Sequence, residues 1–168
     1  MLKGQDLVVL AALMGNENDT LHEPYAELGR RTCLSASETH ASVKRLLAAA
    51  LLGGDRRVRK RNALEFLVHG LRYAFPLRPL GETAKGLATA YAAPVASGAF
   101  ASTGLKPVWR SPGGEVFGQA FEPLYATAPQ AAAKDRGLYD RLAVLDMLRG
   151  GRLRERQFAE VKLGEMLS

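Results

Sequence analysis

The densest group of charged side chains in the sequence is a basic run at residues 56–61. Five of its six positions are basic: Arg56, Arg57, Arg59, Lys60 and Arg61. A cluster this dense repels itself unless an anionic surface or counterions neutralise it. The formal net charge is +6, and the residues before the run carry five basic and seven acidic side chains, so the excess is local. The run therefore predicts contact with a polyanion, and the alternative is a solvated loop.

A helix that begins just before this run carries the other polar side chains of interest. Ser35 and Glu38 have the spacing of a capping box, which predicts that a helix starts at this point and runs over residues 36–50. One face of that helix is largely apolar, with Thr39, Val43, Leu46, Leu47 and Ala50. The opposite face holds Ser37, Ala41, Lys44 and Arg45, with His40 at the border. This pattern predicts a helix that packs on one side and exposes polar groups on the other.

Two further helices and a turn must position these groups. Residues 5–14 place apolar side chains at helical spacing, and a second helix is predicted from Pro24 to about Thr32, after a polar loop at residues 16–20. Gly53, Gly54 and Asp55 then form a turn signal before the basic run. Three short helices, a turn and a basic stretch are typical of helix-turn-helix domains.

Residues 5–61 resemble the winged helix-turn-helix domain of MarR-type and related bacterial transcriptional regulators. The match consists of residues 25–29 for the support helix, 34–46 for the recognition helix and 51–54 for the entry to the wing. Ala50 occupies the position at the end of the recognition helix where these families usually carry Gly. From Asn62, an expected N-cap, the chain looks helical or fully buried rather than like a long wing strand.

The resemblance implies that the helix at 36–50 reads the major groove of double-stranded DNA. Ser37, His40, Ala41 and Lys44 then lie toward the groove, where Ser and His can bond base edges and Ala41 can approach a thymine methyl group. Lys44 and Arg45 suit phosphates, as do the free amides near Ser35. The run at 56–61 would lie against the flanking backbone or in the adjacent minor groove. The alternative is that Ser35 only caps the helix and that these cations are only solvated.

The rest of the chain divides into an irregular middle and a helical end. We expect a DNA-binding head at 1–75, an irregular segment with a β-hairpin at 76–133, and a C-terminal helical hairpin at 134–168. The hairpin is predicted from Pro107 to Phe117 around a Pro-Gly-Gly turn, and residues 76–107 are predicted to be irregular. The helices are predicted from Asp135 to about Arg149 and from Arg152 to about Leu167. The expected fold class is mainly α with a small β component.

The C-terminal helices support a second functional hypothesis. Terminal helices commonly dimerise regulators of this type, so a homodimer is expected. A second basic group, Arg149, Arg152, Arg154 and Arg156, could contact DNA or an acidic partner. The chain could therefore be an antitoxin-like or adaptor protein that mainly binds a partner protein through these helices.

Composition and spacing argue against other classes of function. His22, His40 and His69 lack the spacing of a metal site, no phosphate-binding glycine loop is present, and no catalytic constellation is recognisable. We expect no enzyme activity, no cofactor and no metal. Cys33 excludes a disulfide framework because it is the only cysteine, and its role is left open between packing and redox sensing. Without a long apolar run or a signal peptide, a soluble cytoplasmic protein with no membrane contact is expected.

Overall fold

The computed structural model describes residues 1–15, 23–102 and 104–168. The described part is mainly helical with a small three-stranded sheet, which confirms the coarse fold class. The helices are α1 (Gly4–Leu13), α2 (Tyr25–Thr32), α3 (Ala36–Ala48), α4 (Lys60–His69), α5 (Leu71–Ala74), α6 (Ala128–Lys134), α7 (Arg136–Gly150) and α8 (Leu153–Leu167). The strands are β1 (Thr83–Ala88), β2 (Pro107–Arg110) and β3 (Val116–Ala120). The loop predicted at 16–20 and His22 lie outside the described residues.

Helices α1 and α7 form the centre of the molecule. In α1 every residue from Asp6 to Leu13 is buried, although the sequence predicts a helix with one apolar face. The difference arises because α2 and α3 pack on α1 and α7 packs on it as well. One apolar cluster extends from Leu7 to Leu167 and includes residues of all three predicted segments. The predicted head therefore shares its core with the C-terminal helices.

Helices α2 and α3 are joined by a turn that needs a close backbone approach. Cys33 ends α2 in the left-handed conformation with φ 57°, and the N–H of Leu34 donates to the carbonyl of Gly29. A Cβ atom at Gly29 would lie 2.5 Å from the carbonyl oxygen of Leu34 and 3.1 Å from Oγ1 of Thr39. Gly29 therefore lets the end of α2 lie directly against the start of α3.

Helix α3 ends in a Schellman motif followed by a very short turn. The N–H of Leu51 donates to the carbonyl of Leu46, and Ala50 adopts φ 58°, the left-handed region that favours glycine. Leu52 and Val58 then pair in an isolated antiparallel bridge. The expectation that Asn62 caps the next helix is wrong, because α4 begins at Lys60. The Asn62 side chain donates to the carbonyl of Ala50 at 2.8 Å and so holds α4 against the end of α3.

The small sheet differs from the prediction in two ways. Residues 76–107 are not wholly irregular, because β1 lies within them and pairs antiparallel with both β2 and β3. Its sequence, Thr-Ala-Lys-Gly-Leu-Ala, has only Thr83 among the β-branched and aromatic residues that signal a strand. The predicted β-hairpin is also wrong: β2 and β3 run parallel, with Pro107 opposite Gln119 and Val108 opposite Ala120.

The connection between β2 and β3 explains why they do not form a hairpin. Residues 111–115 pack against β1 at Gly86, so β3 continues on a different edge of β1 from β2. A Cβ atom at Gly114 would lie 2.1 Å from the carbonyl carbon of Gly86, and one at Gly86 would lie 1.7 Å from the carbonyl oxygen of Trp109. Both glycines are required by this close packing, and the sequence pattern of a Pro-Gly-Gly turn does not distinguish it from a hairpin turn.

The two C-terminal helices fall close to their predicted bounds and pack on each other. In α7 all residues from Leu142 to Arg149 are buried, whereas α8 has a buried stripe at Ala159, Leu163 and Leu167. Of these two helices, α7 is therefore a core element, whereas α8 has an open outer face. Within the described ranges, no helix combines the length and apolar composition that crossing a lipid bilayer requires.

Candidate nucleic-acid interface

The start of α3 is capped as the sequence predicts. The Ser35 hydroxyl accepts from the N–H of Glu38 at 3.1 Å, and the Glu38 carboxylate accepts from the N–H of Ser35 at 2.9 Å. Hydrogen bonding of the Glu38 carboxylate to the backbone N–H of Ser35, and to the Ser35 side chain, lowers the pKa of the Glu38 carboxyl because it favours the ionised form. The cap positions the first turn of α3 at the surface, where Ser35 and Ser37 are both exposed.

The outer face of α3 carries the side chains that the sequence assigns to base contact. Ser37, His40 and Lys44 are exposed, and Ala41 is half-buried between them. Their spacing of three, four and seven residues places them on one side of the helix. On the opposite side Thr39, Ser42, Val43 and Leu46 are buried. The predicted division of α3 into a packed face and an exposed polar face is confirmed.

Arg45 has a different role from the one predicted. Its Nε donates to Oδ2 of Asp6 at 2.8 Å and its Nη2 donates to Oδ1 at 2.8 Å, and the Asp6 carboxylate is fully buried. Hydrogen bonding to Asp6 raises the pKa of the Arg45 guanidinium. Arg45 therefore ties α3 to α1 instead of standing free for a phosphate. A buried charge needs such a partner, which explains why Arg45 turns inward.

Tyr25, at the start of α2, connects two of the predicted site residues. The guanidinium carbon of Arg56 lies 4.4 Å from the centre of the Tyr25 ring, and the His40 ring meets that ring edge-on at 4.9 Å. Arg56 also donates to the carbonyl of Glu23 at 2.9 Å, with its own backbone at φ 64°. Tyr25 thus holds a side chain of α3 and the first cation of the basic run at one place on the surface.

The remainder of the basic run does not form a single patch with Arg56. The Arg57 side chain lies 3.9 Å from the Asp55 carboxylate, and Lys60 Nζ donates to the carbonyl of Ser168 at 3.1 Å. Arg59 is the N-cap of α4, and Arg61 lies in the first turn of that helix. Arg57, Arg59, Lys60 and Arg61 are all exposed. The run therefore bends through a turn and a helix start, with its charges spread over more than one direction.

Sequence reasoning missed two residues that shape this surface. Asp6 is the only acid in the apolar stretch at 5–14, and an acid at such a position signals a buried ion pair. Tyr25 follows a proline at a helix start, which gives no indication that its ring would support both Arg56 and His40. The Asp6 signal was available in the sequence, whereas the Tyr25 contacts depend on three separate segments meeting.

The second basic group also divides in the structure. Arg149 is buried, where its Nη2 donates to the carbonyl of Glu122 and lies 3.8 Å from Oδ1 of Asp146. Arg156 is half-buried, and only Arg152 and Arg154 are exposed. Burial raises the pKa of Asp146 to about 6, although Thr89 and Trp109 each donate to its Oδ2 at 2.8 Å. Arg149 and Asp146 therefore belong to a buried polar cluster and are not available to bind DNA.

Within residues 1–15, 23–102 and 104–168, no three His, Cys, Asp or Glu side chains come close enough together to hold a metal ion. Cys33 is half-buried, and its Sγ lies 3.5 Å from Nζ of Lys134.

Comparison with known proteins returned no relatives. No family model matches the chain, no curated protein matches its sequence, and no solved structure matches its fold.

Proposed function

We propose that the chain is a sequence-specific DNA-binding transcriptional regulator that inserts α3 into the major groove. The observation that carries the proposal is the outer face of α3, on which Ser37, His40 and Lys44 are exposed beside Arg56. The major groove is wide enough to admit an α-helix, and hydrogen-bonding side chains on the inserted face can contact base edges. The opposite face is packed, so only this side can meet a partner.

The packing around α3 supports a winged helix-turn-helix interpretation. Helices α1, α2 and α3 all pack on one another, and α2 and α3 are separated by a tight turn at Cys33. The bridge between Leu52 and Val58 stands where a wing begins, and its tip contains Gly53 to Arg57. In this interpretation the wing is reduced to a turn, and α4 follows in place of a long second strand.

Each exposed group has a distinct role in the proposal. Ser37 and His40 read base edges, and Ala41 leaves room for the helix to approach the groove. Lys44 and Arg56 bind phosphates, as do the exposed side chains of Arg57, Arg59 and Arg61, which set the position of the helix without reading sequence. Arg45 takes no part, because its guanidinium is bound to Asp6.

The proposal includes a homodimer, in which two copies of α3 meet half-sites about one helical turn apart. The two copies would contact each other through the outer face of α8, where Val161 is 63% exposed and Leu153 is 61% exposed. The same two side chains favour a second candidate function, an adaptor or antitoxin-like protein that binds a partner protein through α8. Contiguous exposed apolar surface marks sites of protein–protein interaction.

Selection of bound fragments from random duplex DNA tests the proposal and separates the two functions. Enrichment of a palindrome supports a dimeric regulator, and enrichment of a single short site supports a monomeric one. No enrichment contradicts the DNA proposal and favours the adaptor. The mass in solution of Val161→Asp, compared with that of the unmodified chain, then shows whether α8 forms the interface.

Substitutions on α3 test the assigned roles. Lys44→Ala should weaken binding to all duplexes alike. It should also reduce the slope of log affinity against log salt concentration by about one, because one phosphate contact is lost. Lys85→Ala, which removes an exposed lysine of β1, is the matched control and should leave binding unchanged. Ser37→Ala and His40→Ala should change the preferred sequence. A uniform loss over all sequences would show that these two residues do not read bases.

A further inference from the structure

A cavity of about 740 Å³ lies between residues 91, 100, 101, 104 and 105, strand β3 and the first turn of α8, and no residue of α3 lines it. Its volume falls within the range of about 300–1,000 Å³ that is typical of small-molecule sites. Apolar side chains from separate segments line it, namely Tyr91, Phe100, Leu105 and Leu153. None of these residues belongs to α3 or to the basic run.

The apolar wall of this cavity is supported from behind. The Phe100 ring packs edge-on against Phe158 at 5.4 Å and against Tyr91 at 6.5 Å between ring centres. At the mouth, Leu105 is 49% exposed and Leu153 is 61% exposed. Leaving large aliphatic side chains in water costs free energy that an apolar ligand would recover by covering them.

The charge at the mouth is positive. Arg152 and Arg154 both line the cavity and are exposed. Neither guanidinium has a hydrogen bond or an ion pair to any residue in the described ranges, in contrast to Arg45 and Arg149. Glu155, the one carboxylate in the lining, accepts a hydrogen bond from the backbone N–H of Arg152. Two cations against one engaged carboxylate favour an anionic ligand.

We propose that this cavity binds a small carboxylic acid with an apolar body. The apolar part lies against Phe100, Leu105 and Leu153, and the carboxylate is bound by Arg152 and Arg154. Arginine binds carboxylates through paired N–H donors, which suits this pairing of charge with an apolar wall. The proposal does not depend on base or phosphate contact, because it uses no residue of α3 or of the basic run; it shares only Leu153 with the α8 surface described above.

Calorimetric titration of the full chain with naphthoate tests the proposal, with octanoate as a second carboxylate that has no ring. Naphthalenemethanol is the uncharged counterpart of naphthoate. We expect at least one of the two acids to bind, and to bind less tightly at high salt because screening weakens its attraction to the arginines. The uncharged alcohol should bind about tenfold more weakly than naphthoate. Absence of binding by both acids, or equal binding of the alcohol, would overturn the proposal.

Matched arginine variants locate the site. The double variant Arg152→Gln and Arg154→Gln should bind the acid about tenfold more weakly. The double variant Arg59→Gln and Arg61→Gln removes the same charge from the start of α4 and should bind it normally. Leu153→Gln, at an exposed position that folding does not require, should also weaken binding. Equal affinities of the two arginine double variants would show that the acid binds elsewhere and would refute the assignment.

Discussion

The guanidinium of Arg45 donates two hydrogen bonds of 2.8 Å to the carboxylate of Asp6, which lies 39 positions earlier in the sequence. The pair joins the last turn of α3 to the first turn of α1. The carboxylate is fully buried, and the arginine side chain is 22% exposed. It therefore sets the orientation of α3 on the core and, through that, the direction in which the exposed face of α3 points.

Asp6→Ala should destabilise the fold substantially. The substitution leaves the Arg45 guanidinium partly buried without its partner, and removing one member of a buried pair costs about 3 kcal/mol. Because Arg45 is partly exposed, water offsets some of this cost. Urea denaturation followed by circular dichroism measures the change. Glu160→Ala, at an exposed position of α8, is the control and should change stability by less than about 0.5 kcal/mol. Equal losses in both variants would contradict the assigned role.

Ala50→Gly should stabilise the chain. Ala50 has φ 58° at the end of α3, a conformation that costs an alanine roughly 1–2 kcal/mol and costs glycine little. Glycine loses more backbone entropy on folding, so we expect a net gain of about 0.5–1 kcal/mol in the free energy of unfolding. The control is Ala49→Gly, one residue earlier at φ −79°, which should destabilise instead. Changes of the same sign in the two variants would argue against backbone strain at Ala50.

Ser35→Ala should destabilise the chain by about 1 kcal/mol, because it removes the side chain that accepts from the N–H of Glu38. Ser37→Ala is the matched control. Ser37 lies two residues further on, is exposed and does not cap α3, so its loss should change the melting temperature little. If the two variants have the same melting temperature, the cap contributes nothing to the stability of the fold.

The stability of the chain should depend on the ionisation of Asp146. Burial raises its pKa from 3.8 to about 6, so the folded state favours the protonated form more than the unfolded state does. The contribution of Asp146 to stability is then fully present below about pH 4 and falls as the pH rises toward about 6, by on the order of 3 kcal/mol. Above the folded pKa this contribution is lost and no longer changes with pH.

Asp146→Asn isolates that dependence. The amide can still accept from Thr89 and Trp109, but it cannot ionise, and Arg149 at 3.8 Å keeps its place beside it. Urea denaturation over this pH range measures the free energy of unfolding of both proteins. As the pH rises, the value for the unmodified chain should fall relative to the value for Asp146→Asn. A constant difference for Asp146→Asn would exclude a raised pKa.

Tyr25→Leu should weaken the proposed DNA binding several-fold. Loss of the ring removes the support of Arg56 and His40, and a cation–π contact at the surface is worth about 0.5–1 kcal/mol. Tyr25→Phe keeps the ring and should bind DNA as the unmodified chain does. Fluorescence anisotropy with a selected duplex measures both variants. If both variants lose the same DNA affinity, the effect comes from the hydroxyl group. If neither variant loses affinity, Tyr25 takes no part in DNA binding.

The sequence alone determined those features that depend on neighbours within a turn or two of helix. The capping box of Ser35 and Glu38, the packed and exposed faces of α3, and the limits of α7 and α8 all follow from interactions over three or four residues. Such signals do not require any distant part of the chain to be in place, and this is why they could be predicted.

Tertiary structure decided which charges and strands find partners. Arg45 and Arg149 carry the same side chain as Arg152 and Arg154, yet the first two are held by Asp6 and by Glu122 with Asp146, while the last two are open. The parallel pairing of β2 and β3 likewise depends on β1, which the sequence did not reveal. A charged side chain is buried only where a distant partner offsets its desolvation, and a strand pairs only with an edge that the rest of the fold has placed beside it.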